Sequence, residues 1–259
     1  MSPSAELHGS DVLELFSRSG DAQGDPYLQY HAERIAVLCG EILKLIDEGQ
    51  TTRSQPLRIL DVGASFQTHA IHHFLGERCS IDTLGFPGDP VALTIPFSGR
   101  HVGIDLSLLT ETDQGDGDYD IVVLAEVIEH LFGSPRRALR YLRSHLIFGG
   151  NIVVQTPNAA ALPKRMMLLR GKNPFEEIRE DTSNPGHFRE YTMKEISSML
   201  ETSGFEVSRA IYGEYWEHSI LAQAKRDGLN SWLKRRAEFT VASLRPALRG
   251  GLTIVGRAS

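Results

Sequence analysis

Short apolar runs and longer amphipathic stretches alternate along most of this chain. Mostly apolar segments near 57–62, 80–86, 119–124 and 151–155 are the length of strands, and a third strand is predicted to end near 103–106. Between them, apolar residues recur at helical spacing over 27–46, 65–75 and 135–146. Strands that alternate with helices indicate an α/β domain with a parallel sheet.

The stretch from Tyr119 to His130 has the most informative pattern. A buried strand is followed directly by Glu126, Glu129 and His130. Their spacing of i, i+3 and i+4 predicts that they share one face of a helical turn. Ligands of open α/β sheets bind at the carboxyl edge of the strands, where this turn begins. Two carboxylates and an imidazole there can bind a divalent cation or transfer protons.

Acidic residues also occur in or after the other predicted strands. Asp61 lies near the end of the strand LRILDV, and Gly63 then turns the chain toward a helix. A glycine allows backbone to approach a ligand without interference from a Cβ atom. Asp82 is in the next strand region and follows Asp61 at about the spacing of a residue that binds a ribose hydroxyl, and Asp105 is at the tip of the third strand. The pattern suits a nucleotide-like ligand, and a plain strand-to-helix turn is the alternative.

Length and composition limit the function classes. A chain of 259 residues with 41% hydrophobic and 23% charged residues suits one large domain, or one domain with a small insertion. The net charge of −6 gives no support to binding nucleic acid across the surface. Cys39 and Cys79 are too few for a disulfide framework. With no signal-peptide pattern and no apolar run of membrane length, we expect a cytoplasmic protein without a transmembrane segment.

Four motifs occur in an order that is typical of one enzyme family. They are ILDVG at 59–63, IDL at 104–106, YDIVVLAEVIEHL at 119–131 and FGGNIVVQTPN at 148–158. Together they resemble class I S-adenosylmethionine-dependent methyltransferases, and HFREYTMKEISSMLETSGFEV at 187–207 resembles the family's approach to its sixth strand. The resemblance implies a Rossmann-like sheet of seven strands, mostly parallel, with helices on both faces and an antiparallel last strand.

The resemblance also implies a set of residues that bind S-adenosylmethionine. These are Asp61, Gly63, Ser65, Asp82, Asp105, Leu106 and Ala125. In the family pattern Asp61 and Gly63 line the methionine end of the cofactor, Asp82 accepts from the ribose hydroxyls and Asp105 accepts from the adenine amino group. Ala125 and Glu126 would face the sulfonium. Ser65 and Gln67 depart from the pattern, because the family usually has glycines at these two positions.

The ExxEH sequence after the fourth strand resembles a subset of these enzymes that bind a divalent cation. A second histidine completes the site in that subset, and His187 is the matching residue here. The implied ligands of Mg²⁺, Mn²⁺ or Zn²⁺ are Glu126, Glu129, His130 and His187, with His130, His187 and Glu126 as catalytic residues. The alternative is a site without metal, in which His130 acts as a general base or supports the loop.

The remaining segments suggest how the domain is organised. We expect an N-terminal arm and lid helix over 1–50, followed by the S-adenosylmethionine-binding domain over 51–259. An insertion at about 159–186 is too long for a simple connection and is predicted to cover the substrate. Residues 230–248 form a basic amphipathic helix, which either packs on the sheet or offers a membrane-surface or partner-binding face.

These patterns lead to one functional hypothesis with two alternatives. The chain is predicted to be an O-methyltransferase that is assisted by a divalent metal and methylates a hydroxyl of a carbohydrate or glycan intermediate. One alternative is metal-free methylation of a quinone, polyketide or other small molecule. The other is a non-catalytic module that binds S-adenosylmethionine. The sequence leaves the oligomeric state open between a monomer and a homodimer.

Overall fold

The computed structural model describes residues 6–19, 25–49, 56–87, 99–181 and 185–259. In these residues seven strands form one sheet: β1 (Leu57–Val62), β2 (Cys79–Gly85), β3 (His101–Gly103), β4 (Tyr119–Ala125), β5 (Leu146–Pro157), β6 (Phe205–Gly213) and β7 (Gly251–Ala258). The strand order is β3-β2-β1-β4-β5-β7-β6. Only β7 runs antiparallel to its neighbours, β5 and β6. The predicted fold class is therefore confirmed.

Helices cover both faces of the sheet. They are α1 (Gly9–Ser19), α2 (Pro26–Asp47), α3 (Phe66–Leu75), α4 (Pro135–His145), α5 (Leu162–Leu169), α6 (Met193–Glu201), α7 (Glu217–Asp227) and α8 (Leu229–Leu244). Helices α1 to α3 share one apolar core with Ile59 and Ile121, while α4 and α6 share the other with Leu60 and Val122. Successive strand residues enter opposite cores, as the pleat of a strand requires.

Local sequence signals begin the helices next to the site. Asp25 precedes α2, and its Oδ1 accepts from the backbone N–H groups of Tyr27 at 2.8 Å and Leu28 at 3.1 Å. Pro26 then supplies the first helical residue, where a missing N–H costs nothing. Ser65 caps α3 in a reciprocal box with Thr68. These caps set where α2 and α3 begin, beside the end of β1.

The centre of the sheet positions the candidate site. All seven residues of β4 are buried, and each fully buried Val, Leu or Ile contributes about 1.5–3 kcal/mol. Beyond its carboxyl end the sheet is covered by α5 and α8, which border one cavity. Within the described residues, no helix is both long enough and apolar enough to span a membrane.

The element boundaries differ from the sequence expectations at three places. Strand β5 begins at Leu146, so Gly149 and Gly150 lie within it and not in a turn before it. Strand β3 ends at Gly103, so Asp105 lies in the following loop. In the N-terminal arm, α1 packs Val12 and Phe16 into the core shared with α2. The other parts of that arm, 1–5 and 20–24, and the segment 88–98 lie outside the described residues.

Candidate functional site

Three ionisable side chains converge beyond the carboxyl end of β4. Glu129, His130 and His187 each offer one ligand atom, and these atoms all lie within 4.8 Å of one another. The His130 and His187 rings meet edge to face, with 4.7 Å between their centroids. The structure therefore brings together three of the four residues that the resemblance implied as metal ligands, including a histidine from a distant part of the chain.

Glu126 is oriented differently from the sequence prediction. We expected Glu126, Glu129 and His130 on one face of a helical turn, and this prediction is wrong. Glu126 has a φ of 56°, the left-handed region that non-glycine residues rarely occupy, and a short 3-10 helix begins only at Ile128. Glu126 is not one of the three clustered residues and lines the adjacent cavity together with His187. Such strain in a non-glycine residue is found mainly at functional sites.

Backbone contacts hold the His187 loop against the end of β4. The carbonyl oxygen of Glu129 accepts from the N–H groups of Phe188 at 2.9 Å and Arg189 at 3.2 Å. The carbonyl oxygen of Gly186 is 2.9 Å from Nδ1 of His130. A carbonyl oxygen can only accept, so this Nδ1 carries the proton and, in the neutral ring, Nε2 keeps a free lone pair. This is the arrangement in which a histidine is oriented as a metal ligand.

Glu129 is buried and Glu126 is half-buried, and each has one buried carboxylate oxygen without a hydrogen-bond partner. Thr156 donates from Oγ1 to Oε2 of Glu129 at 2.9 Å, while Oε1 of Glu129 has no partner. Oε1 of Glu126 is also buried without one. Burial, then the charge of Glu126, raises the pKa of Glu129 well above its usual range, and burial raises the pKa of Glu126. Unpartnered buried oxygens of this kind are the usual sign of a ligand or ion site.

A cavity of about 530 Å³ lies next to the cluster and is large enough for a small-molecule ligand. Glu126 and His187 line it on one side. Lys164 also lines it and forms an ion pair with Glu190, and burial lowers the pKa of Lys164 to about 8. On the other side Trp216 stacks on Tyr30, with 6.0 Å between ring centroids. The cavity thus combines an aromatic wall with converging charges.

Asp61 and the loop after β1 form a buried polar unit below the cluster. The Asp61 carboxylate is fully buried and accepts from Nε2 of Gln67 at 2.9 Å and from Oγ1 of Thr68 at 2.6 Å. Gly63 turns the chain with a φ of 77°, which a side chain would strain. Gln67, one of the departures from the family pattern, has a buried side chain that contacts Asp61 and Arg34.

Arg34 of α2 joins this unit, although the sequence did not point to it. Its guanidinium is fully buried and donates from Nη1 to Oε1 of Gln67 and to Oε1 of Gln155, both at 3.2 Å. Nε donates to Nδ1 of His31 at 3.2 Å. Burial, with a smaller effect of Arg34, lowers the pKa of His31 to about 3 and keeps that ring neutral. One signal was available, because Arg34 precedes Leu38 by one helical turn and so interrupts the apolar face of α2.

The other residues implied by the resemblance fall into two groups. Asp105 and Leu106 follow β3 at the carboxyl edge, where Oδ1 of Asp105 accepts from the N–H of Ser107 at 2.8 Å. Ala125 is the last residue of β4, and Ser65 is the cap of α3 at the same edge. Asp82, in contrast, lies in the middle of β2. It accepts from Tyr119 Oη at 2.8 Å and from the N–H of Arg100 at 2.7 Å, so the structure does not bring it to the carboxyl edge.

The burial of Asp61 predicts a pH-dependent stability. Burial raises the pKa of Asp61 from 3.8 to about 7, against the opposing effects of Thr68, Gln67 and Arg34. Between these two values the folded chain retains a proton that the unfolded chain releases, so this contribution to stability falls as the pH rises. The slope approaches about 1.4 kcal/mol per pH unit. Urea unfolding at several pH values should show that the free energy of unfolding falls less with rising pH for Asp61→Asn than for the native chain. An equal dependence on pH in the two chains would contradict this role of Asp61.

Comparisons with known proteins agree with this architecture. The family described as "Methyltransferase domain" matches residues 30–210, which is more than half of the chain. The chain belongs to this family. A Mycolicibacterium smegmatis protein named "Probable S-adenosylmethionine-dependent methyltransferase" is 34% identical over 102 residues. That match covers 38% of this chain and 33% of the relative, so it spans about a third of the relative's length.

Solved structures resemble the methyltransferase domain across nearly its whole length. A structure named as the [4+2]-cyclase SpnF has a TM-score of 0.55 at 16% identity, and the match covers 97% of each chain. A SAM-dependent methyltransferase from Archaeoglobus fulgidus has a TM-score of 0.52 at 17% identity, with 86% of this chain and 94% of that chain covered. At such low identity the likeness shows the fold alone.

Proposed function

We propose that this domain is an S-adenosylmethionine-dependent O-methyltransferase that uses a divalent cation to methylate a hydroxyl of a carbohydrate or glycan intermediate. The observation that carries the proposal is the cluster of buried Glu129 with half-buried His130 and His187 beside the cavity. One carboxylate oxygen of Glu129 lacks a partner there. A buried anion next to two imidazoles is stable when it binds a cation, because an unpaired buried charge is costly.

The donor set of the cluster fits a divalent cation. Two imidazole nitrogens and one carboxylate oxygen suit Zn²⁺ or Mn²⁺, and Mg²⁺ is compatible if substrate oxygens complete its shell. Glu129, His130 and His187 would hold the ion. When bound, it would lower the pKa of a coordinated hydroxyl and orient that hydroxyl. Thr156 and the carbonyl oxygen of Gly186 orient two of the three ligands, as supporting hydrogen bonds do in metal sites.

The carboxyl edge also supports the cofactor assignment. The turn at Gly63, the loop at Asp105 and the end of β4 at Ala125 lie at the carboxyl ends of the parallel strands β1, β3 and β4. S-adenosylmethionine bound there supplies the electrophilic methyl group, so the protein need only position the acceptor oxygen in line with it. Glu126 follows the end of β4 and lines the cavity, so it would be a carboxylate that meets the acceptor.

The cavity lining favours a carbohydrate as the acceptor. Tyr30 and Trp216 offer an aromatic wall on which a sugar ring can stack, and Nε1 of Trp216 is buried without a partner. Glu190 and Glu214 add carboxylates that can accept from sugar hydroxyls. Hydroxyl-rich ligands need such convergent polar groups. A second candidate is a metal-free transfer to a small molecule, which the apolar part of the lining, Leu162, Met167 and Phe239, favours.

Two measurements test the proposed function. Calorimetry with S-adenosylmethionine should show binding, and the absence of binding at millimolar concentration would contradict a methyltransferase. Transfer of a labelled methyl group from the cofactor to a panel of glycans and phenolic small molecules should then proceed with Mn²⁺ and stop with EDTA. Activity that EDTA leaves unchanged would contradict the cation and favour the metal-free candidate.

Gly63→Ala should weaken cofactor binding. A Cβ atom at Gly63 would lie 3.0 Å from Cγ2 of Val127, and the left-handed backbone adds about 1–2 kcal/mol of strain. We expect about tenfold lower affinity for S-adenosylmethionine by calorimetry, because the loop must shift away from its present path. Gly49→Ala is the matched control, since Gly49 has a φ of 65° and open space around it. Gly49→Ala should lower the free energy of unfolding by a similar amount and leave the affinity for S-adenosylmethionine unchanged. Equal losses of affinity in the two variants would refute the role of Gly63.

A further inference from the structure

Exposed apolar side chains are concentrated on the two segments that border the cavity. Of the sixteen exposed large apolar residues in the described part of the chain, nine lie within 167–178 and 229–244. These segments are the end of α5 with the loop after it, and α8. Scattered exposed leucines need no explanation, whereas a concentration of them marks an interaction surface.

On α8 the exposed apolar residues form a continuous stripe. Its members recur three or four positions apart and so lie on one side of the helix: Leu229, Leu233, Ala237, Val241 and Leu244. Leu229 is 70% exposed and Leu244 is 78% exposed. The opposite side of α8 faces the cavity through Phe239 and Ala242. Helix α8 therefore has apolar residues on two sides, and the described residues of this chain cover only one of them.

Cationic side chains flank the stripe. Lys234 is adjacent to Leu233 at one edge, and Arg245 follows the last helical residue. No acidic partner is recorded for either residue within the part of the chain that the structure describes, whereas Arg235 is paired with Glu238 and Arg236 with Glu217. In a chain whose net charge is −6, this is a local concentration of positive charge.

The end of α5 repeats the same combination on the other border of the cavity. Leu168 and Leu169 are exposed, and Leu169 is 80% exposed. Arg170 and Lys172 follow directly, and neither has an acidic partner among the residues described. Exposed leucines next to cationic side chains without an acidic partner among the described residues therefore occur both on α8 and at the end of α5.

We propose that the stripe on α8, together with the end of α5, binds an anionic lipid surface. A helix with an apolar face and cations at its edge lies in the membrane interface, where leucines enter the acyl boundary and cations meet lipid phosphates. The charges favour lipid over a second copy of this chain, because two identical stripes would bring their cations together. This inference does not depend on methyl transfer, since it concerns the outer surface and not the cavity.

Vesicle sedimentation with the full chain tests this surface. The chain should sediment with phosphatidylcholine vesicles that contain phosphatidylglycerol, far less with phosphatidylcholine alone, and less as NaCl is raised. The double variant Leu233→Ser, Leu244→Ser should lower the partition coefficient by about tenfold or more. The double variant Lys234→Gln, Arg245→Gln should lower the partition coefficient only for the anionic vesicles. The cation variant keeps the test valid if the leucine variant does not fold.

Phe148→Ser is the matched control. Phe148 is 81% exposed and lies near the start of β5, at the opposite edge of the sheet. Its replacement should leave sedimentation unchanged. Failure of the native chain to sediment with anionic vesicles, or an equal loss in Phe148→Ser, would overturn the proposal. The proposal would also be overturned if analytical ultracentrifugation showed that the native chain is a dimer and the leucine variant a monomer. A second copy of the chain would then cover the stripe.

Discussion

Replacing His187 with alanine should lower the affinity of the protein for Mn²⁺ by at least about 100-fold. Even residues that only orient a metal ligand change metal affinity by about 10–100-fold, and His187 is one of only three proposed ligands. Its loss would leave Glu129 and His130, which come from one short turn and cannot enclose a cation. Calorimetric titration of Mn²⁺ into the native chain and the variant measures the effect directly.

The control for this variant is His72→Ala. His72 is exposed on α3, away from the cluster, so its replacement should leave Mn²⁺ affinity unchanged. S-adenosylmethionine binding should persist in both variants, because His187 comes from a loop separate from the β1 turn. Native Mn²⁺ affinity in His187→Ala would show that His187 is not a ligand.

Arg34→Met should lower the free energy of unfolding by about 3 kcal/mol. The guanidinium donates hydrogen bonds to the side chains of Gln67 and Gln155, and both acceptors would be left buried without a donor. Each such loss costs about 1–3 kcal/mol. The buried Asp61 carboxylate would also lose the nearby positive charge that opposes its high pKa. Urea unfolding at constant pH measures the change.

Lys225→Met is the matched control for Arg34→Met. Lys225 is exposed near the end of α7, so the same loss of a positive charge should change stability by less than about 0.5 kcal/mol. Arg34→Lys should be intermediate, because an ammonium keeps the charge but cannot form the same forked contacts. Equal stability of Arg34→Met and the native chain would show that the buried network contributes little.

The fold could be predicted because its signals are local and repeated. Apart from Asp120, the run 119–124 is apolar because β4 is buried on both faces, and β1 is likewise buried along most of its length. The chain order of strands and helices then allows few topologies. The extension of β5 back to Leu146 was missed because Gly149 and Gly150 have the composition of a turn, while their pairing depends on the neighbouring strands.

The site was only partly predictable because its geometry depends on contacts between distant segments. His187 could be named as a partner of His130 only through the resemblance to methyltransferases in which a second, later histidine completes the site. The left-handed backbone of Glu126 could not be foreseen, because it departs from the helical spacing of the three residues. Lys164 and Glu190 become a pair only when α5 and the His187 loop meet. Asp82 matched a spacing rule, but its register in β2 puts it in mid-strand.

We propose that the carboxyl edge of the sheet binds S-adenosylmethionine beside a divalent cation held by Glu129, His130 and His187. Anomalous diffraction from crystals grown with Mn²⁺ and S-adenosylhomocysteine tests both parts of this claim together. The expected result is one Mn²⁺ peak in contact with these three side chains and cofactor density over the turn at Gly63. Cofactor density without a Mn²⁺ peak would contradict the cation, and a Mn²⁺ peak without cofactor density would contradict the methyltransferase assignment.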